Sequence, residues 1–242
     1  MREILEKVKN GVLNVLFPAT CVGCGREGKY LCVRCEGFVG EAALVCPSCQ
    51  QSSFRGERHH LCEAPYGLEG LAGIWEYEGL IRNLLYCVKY TGVTHATEEM
   101  ARRAFETMRK DEKRFEAFLS FLCSQDTRIT YVPMYQKKER HKGFNHAKVF
   151  AHEIAKITGK KVLPTLEKRK YTKPQIDLTK KERLYNVKDS FAPYDNLDLR
   201  SVEKIVLVDD VWTTGSTLLE CCGVLKRAGA REVWGFSIAR TP

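Results

Sequence analysis

Near the C-terminus, the stretch IVLVDDVWTTGSTL at residues 205–218 sets two adjacent carboxylates, Asp209 and Asp210, ahead of Thr213, Thr214, Gly215, Ser216 and Thr217. The apolar run Ile205 to Val208 reads as a buried strand. Ligands of open α/β sheets bind beyond the carboxyl ends of such strands. Gly215 permits a tight turn. A helix starting just after it offers unpaired backbone N–H groups and the positive end of its dipole, a cradle for phosphate to which the hydroxyls add donors. The aspartates would repel a phosphate lying against them. They suit a sugar whose vicinal hydroxyls donate to the carboxylates while its phosphate sits one turn further on. The implied ligand is a ribose 5-phosphate; the bland reading of the pair is a strand-end cap on the next helix. The stretch is not a P-loop, because the G-x4-G-K-[ST] order is absent and no lysine lies in the turn.

Thiols form the second set of residues suited to chemistry. Of eleven cysteines, seven fall in the first 62 residues. The stretch CVGCGREGKYLCVRC presents Cys21, Cys24, Cys32 and Cys35 as two C-x2-C pairs. Each pair can point two thiolates at one ion. Four thiolates close a tetrahedral structural site of the zinc kind, with no open position for catalysis. A third pair, Cys46 and Cys49, is followed by His59, His60 and Cys62, which suit a second site whose fourth ligand is either histidine. Spacing also allows Cys46 and Cys49 to complete the first site, and redox-active or free thiols are the remaining readings. No export signal is evident, which favours metal ligation over disulfides. A segment with so few apolar residues depends on metal for much of its stability.

Charge points to an anionic partner. The chain has 242 residues and a formal net charge of +9, yet residues 137–188 alone carry sixteen Lys or Arg against five Asp or Glu. A solvated basic face is the ordinary explanation; phosphorylated metabolites and nucleic acid are the functional ones. At 44% hydrophobic the sequence can bury a core. No run approaches the ~18 apolar residues of a spanning helix. In the first 18 residues Ile4, Leu5, Val8, Val12, Val15 and Leu16 make one helical stripe, suited to a docking helix or to peripheral attachment at a membrane surface.

These residues need a scaffold, and the pattern supplies one. Residues 71–77, 129–134, 161–168, 204–210 and 231–240 read as strands, and 78–90, 96–124, 145–159 and 216–228 as helical, with Gly92, Gly159 and Gly229 as stops. Alternating strands and helices indicate an α/β domain with a mainly parallel sheet flanked by helices. The character changes near Gly70, which divides the chain into an N-terminal helix with a cysteine-rich domain (1–68) and an α/β domain (69–242). His95, His141, His146 and His152 are isolated and read as surface or capping residues.

At this level of detail VLVDDVWTTGST resembles the signature of type I phosphoribosyltransferases, which bind phosphoribosyl pyrophosphate (PRPP). The resemblance gives Asp209 and Asp210 the ribose hydroxyls at the catalytic centre, and Val211 with Thr213 to Thr217 the 5-phosphate. YVPMYQKKERHKGFNHAKVFAHEIA is similar to the P-V-P…R-x-R-G-F-N-Q segment of ComF-type (ComF/GntX-like) proteins, the competence-associated branch. KRKYTKPQIDLTKKERLYNVKDSF matches that branch at Thr172, Gln175, Leu178, Arg183, Asn186, Val187 and Phe191, as do VKYTG and the cysteine pairs. Lys142 stands where the branch usually has arginine, and His146 where it usually has glutamine; lysine keeps the charge but not the bidentate fork.

The resemblance implies a type I phosphoribosyltransferase fold with a small zinc-binding N-terminal domain. It implies pyrophosphate contact through Lys137, Lys138, Arg140, Lys142 and Arg183, a closing loop near 168–183 carrying Lys168, Arg169, Lys170 and Lys173, and Mg2+ held mostly by the ligand's phosphates. The expected role is in DNA uptake and natural transformation: a cytoplasmic protein that binds PRPP and single-stranded DNA and meets competence machinery such as a DNA-translocating helicase. Phe144, Tyr171 or Tyr185 would stack bases. The alternative is a phosphoribosyltransferase of nucleotide or related metabolism with no DNA role. The sequence identifies no acceptor site and no glutaminase cysteine.

Overall fold

The structure, a computed structural model, describes residues 19–91, 94–172 and 180–242. The helix expected over residues 1–18, the stop at Gly92, and Lys173, Gln175 and Leu178 lie outside them. The chain forms β1 (Gly70–Glu76), α1 (Gly79–Thr91), α2 (Thr94–Lys110), α3 (Glu112–Cys123), β2 (Thr127–Tyr131), α4 (Gln136–Lys142) and α5 (His146–Thr158). It continues through β3 (Leu166–Lys168), α6 (Lys180–Val187), β4 (Phe191–Pro193), β5 (Lys204–Trp212), α7 (Ser216–Arg227) and β6 (Glu232–Arg240).

The main sheet has the order β1-β6-β5-β2, with every neighbouring pair parallel. Successive side chains of a strand face opposite sides, and β5 divides accordingly. Val206 and Val208 pack with Trp234 and Phe236 beneath α1, α2, α3 and α5. Ile205 and Leu207 pack with Leu218, Cys221 and Leu225 of α7 and with Leu166 and Phe191. Phe118 of α3 stacks on Phe236 at 5.5 Å between ring centroids. A strand buried on both faces reads as a continuous apolar run, which is why Ile205 to Val208 was legible.

Departures from the expected elements have local causes. The helical stretch 96–124 breaks at Asp111, whose carboxylate accepts from the Arg114 N–H at the start of α3. The strand expected over 161–168 is divided: Val162 bridges Ile129 of β2 in parallel, Pro164 lacks a backbone donor, and Leu166–Lys168 pairs antiparallel with β4 in a separate small sheet. α4 and α6 fall in stretches to which the sequence pattern assigned no helix. α5 follows the pattern: Asn145 caps it through Lys148 N–H, and Gly159 ends it in the left-handed region.

The cysteine-rich head is joined to the body. Cys21, Leu31 and Cys35 belong to the same apolar cluster as α1, α2 and α3. Arg103 of α2, itself buried, donates to the Leu31 carbonyl at 2.7 Å and pairs with Glu36 and Glu99. Arg114 pairs with Glu41 and donates to the Ala42 carbonyl. Among the described residues, no helix is long and apolar enough to cross a membrane.

Candidate functional site

A cleft of about 800 Å³ opens at the carboxyl ends of the parallel strands, lined by residues that follow β1, β2, β5 and β6. β5 carries Asp209 and Asp210 to its floor, and the turn after Trp212 supplies Thr213, Gly215, Ser216 and Thr217. Gly215 takes φ 76°, and a Cβ there would come within 2.3 Å of the buried Trp212 ring. Only glycine satisfies both the left-handed backbone and that contact. Thr214 bonds Ser216 Oγ at 3.0 Å and accepts from the Ser216 N–H, which shapes the first turn of α7.

The two carboxyl groups are driven apart. Asp209 Oδ1 accepts from the Asp210 N–H at 2.9 Å. Burial, and then the charge of Asp210, push Asp209 well above the usual carboxylate range. Burial would raise Asp210 too, but Lys89 of α1 outweighs it, pairing at 2.8 Å and holding Asp210 below that range. One member of the pair is therefore a fixed anion, while the other keeps its proton to higher pH.

The cations of the basic segment separate. Lys138 and Lys168 line the cleft with Tyr135, Tyr171 and Thr172. Lys137 and Arg140 are exposed on α4 outside the lining, and Arg183 falls on α6, its side chain not among those described. Lys142 donates to His146 Nε2 at 2.8 Å. Burial, with Lys89 nearby, brings the Lys142 ammonium down to about 8, and burial together with Lys142 brings His146 to about 4. His146 is thus a buried neutral member of the cleft, not a surface or capping histidine. Phe144 packs edge-on against His146 at 4.6 Å, whereas Tyr171 and Tyr185 are exposed.

Lys89, inside the VKYTG segment, was given no role from the sequence, nor were Tyr77, Arg82, Asn83 and Tyr86, which also line the cleft. The available signal was a lysine immediately after Val88, at the edge of the inward stripe Ile81, Leu84, Leu85 and Val88. Lys89→Met is expected to cost about 1–3 kcal/mol at neutral pH, below the range for a fully buried pair because these side chains are 29% and 19% exposed. Asp210's depressed pKa stabilises the fold above the ordinary aspartate value and ceases to do so as pH falls through its lower folded value. The gap between variant and parent should therefore close in acid, as urea unfolding at several pH values will measure.

Cys21, Cys24, Cys32 and Cys35 form one group, and Cys46, Cys49, His59 and Cys62 another, each with its ligand atoms within 4.8 Å of one another. A tetrahedral zinc with ~2.3 Å bonds to sulfur needs sulfurs about 3.8 Å apart, and Cys24 and Cys32 stand at 3.6 Å. The groups are separate, so Cys46 and Cys49 do not complete the first. His59 Nδ1 faces Cys49 Sγ at 3.4 Å while its Nε2 lies 3.1 Å from the Ser52 carbonyl. Donation from Nε2 leaves the Nδ1 lone pair for an ion, the outer-shell arrangement usual at metal-bound histidine. His60 is fully exposed beside Glu63. Burial opposes ionisation of Cys21 and Cys46, but backbone N–H groups outweigh it and bring the thiols to about 6 and about 7. Burial and the neighbouring thiols push Cys35 to about 12 and Cys62 to about 11. Only a cation makes four thiolates, or three and an imidazole, compatible at such distances, and both groups fit a metal.

Fold and site together define an α/β protein with a cleft at the carboxyl edge of a parallel sheet and a head containing two groups able to hold a metal. No family model matches the chain. It is 32% identical over 135 residues to competence protein F of Haemophilus influenzae, a match covering 51% of this chain and 59% of that protein. It is 25% identical over 227 residues to the DNA utilization protein YhgH of Salmonella typhi, covering 92% and 89%. It is 27% identical over 167 residues to competence protein ComFC of Streptococcus pneumoniae, covering 64% and 72%. These similarities, to competence proteins and DNA utilization proteins, support a likeness to ComF-type proteins.

Proposed function

We propose that the chain serves competence or a related use of DNA, binding PRPP with Mg2+ in the cleft and single-stranded DNA along its basic segment, as a member of the phosphoribosyltransferase superfamily. The observation that carries the small-molecule part is the convergence of Asp209, Asp210 and the 213–217 turn with Lys89, Lys138 and Lys168 around one cleft. Asp209 and Asp210 take the ribose hydroxyls, the Gly215 turn and the start of α7 take the 5-phosphate, and Lys138 and Lys168 face the pyrophosphate. Mg2+ is held chiefly by the ligand's phosphates and water. Structural zinc occupies both cysteine groups. The names of the relatives, competence proteins and DNA utilization proteins, support the DNA role. In this reading the protein works in the cytoplasm beside a DNA-translocating helicase.

A titration of labelled single-stranded DNA, with and without Mg2+ and PRPP and across a salt series, tests both ligands and their coupling. The expected result is affinity that falls with salt at a log–log slope of about −0.7 per phosphate contact. No affinity at low salt sinks the DNA role; no Mg2+-dependent PRPP binding sinks the other.

A second reading, transfer to an acceptor, is favoured by the wall of the cleft that PRPP leaves unused. Arg82 and Asn83 of α1 are exposed there beside Tyr86. Loss of pyrophosphate from ribose C1 would need positioning and charge neutralisation, which the lysines supply, more than a dedicated base.

A further inference from the structure

The second metal-ligating group and the hydroxyl turn are remote in sequence and adjacent in space. Gln50 directly follows Cys49 and sits in the left-handed region at φ 62°. Its N–H donates to the Cys46 carbonyl at 2.9 Å, closing the turn that carries two of the ligands. Its side-chain amide leaves the head and donates to the Thr214 carbonyl at 3.2 Å, 164 residues away.

That carbonyl belongs to the peptide joining Thr214 to Gly215. In a planar trans peptide the N–H points opposite to the C=O. Holding the Thr214 oxygen toward the head therefore turns the Gly215 N–H the other way. Gly215 lines the cleft, and its N–H donates to no described residue. A peptide flanked by glycine flips at little steric cost, yet the Trp212 ring forbids any larger residue there. The flipped peptide would present an oxygen lone pair where a phosphate needs a donor. The turn thus requires a glycine whose freedom must be restrained from outside.

We propose that Gln50 is the positioning residue that supplies this restraint, and that the Cys46, Cys49, His59 and Cys62 group serves the cleft by fixing Gln50. A bound metal would hold the turn that carries Gln50; its loss would release the strut and weaken anion binding from the far side of the loop. The inference rests on the ribose-phosphate reading of the cleft.

Gln50→Met keeps the length and removes the donor, and Gln50→Glu replaces the donor by an acceptor. Each full-length variant is compared with the parent for bound metal per chain, for hydrogen exchange in the peptide spanning residues 209–218, and for Mg2+-PRPP affinity by calorimetry. Both variants should retain two metals per chain, exchange faster in that peptide and bind PRPP roughly three- to tenfold more weakly, the scale of one hydrogen bond. Cys49→Ser should reproduce the weakening, and adding Gln50→Met to it should cost little more, since both remove one strut. Parental affinity in Gln50→Met, where the parent does bind, overturns the proposal. A parent with no PRPP affinity refutes the ligand assignment instead. The exchange measurement then decides Gln50 by itself: faster exchange supports the strut and unchanged exchange overturns it.

Discussion

Replacing Asp209 and Asp210 together with alanine should lower PRPP affinity by about a hundredfold or more. Each carboxyl group is assigned a ribose hydroxyl; a hydrogen bond to the charged Asp210 contributes about 1.5–3 kcal/mol and one to the less acidic Asp209 about 0.5–1.5 kcal/mol. Loss of both exceeds any relief of repulsion toward the phosphates, which lie a turn away. The single variants should differ. Asp210→Ala also strips Lys89 of its partner at 2.8 Å, freeing an ammonium that can turn to the pyrophosphate and recover part of the loss. Asp209→Ala frees no cation and should show its full cost. Calorimetry with Mg2+ on the three variants checks the ordering. Equal affinity in parent and double variant removes the ribose assignment altogether.

The second large effect concerns metal. The purified chain should carry two zinc ions, and Cys21→Ser or Cys49→Ser should each leave one. Structural zinc binding is worth about 10–16 kcal/mol in small domains that are unfolded without it, more than the net stability of most domains. Chelation should therefore unfold the head. The damage should extend beyond it for the first group, because Cys21, Leu31 and Cys35 complete the apolar cluster shared with α1, α2 and α3. Arg103, buried between Glu36, Glu99 and the Leu31 carbonyl, would lose partners on the head side. Loss of the second group should act mainly on the hydroxyl turn through Gln50. Metal content by mass spectrometry and unfolding followed by circular dichroism separate the two. A metal-free chain with the parent's unfolding transition would rule out metal as a stabiliser of the head.

The two donors that act on the Asp210 carboxylate and the Thr214 carbonyl, one a cation and one a neutral amide, come from different directions. Lys89 reaches Asp210 from α1, and Gln50 reaches Thr214 from the head. The Asp209–Thr217 stretch is thus a local motif whose electrostatics and backbone orientation are set by remote parts of the chain. This explains why the strand, turn and helix could be read at residues 205–218 while their protonation and rigidity could not.

The sequence by itself determined what is local. An uninterrupted apolar run made β5, a glycine against Trp212 made the turn, Asn145 and Gly159 bounded α5, and C-x2-C spacing grouped the thiols, because each depends on residues within a few positions. It did not determine the extent of residues 161–168, where Pro164 and pairing with distant Phe191–Pro193 decide the strand. Nor did it show that the stretches of α4 and α6 are helical. The choice of His59 over His60 required the Ser52 carbonyl to be in place beside it. His146 looked like any isolated histidine until packing buried it against Lys142. Lys89 and Gln50 became site residues only when folding closed loops of more than a hundred residues. Local propensity cannot encode such contacts; the shared core that brings head, α1 and the end of β5 together does.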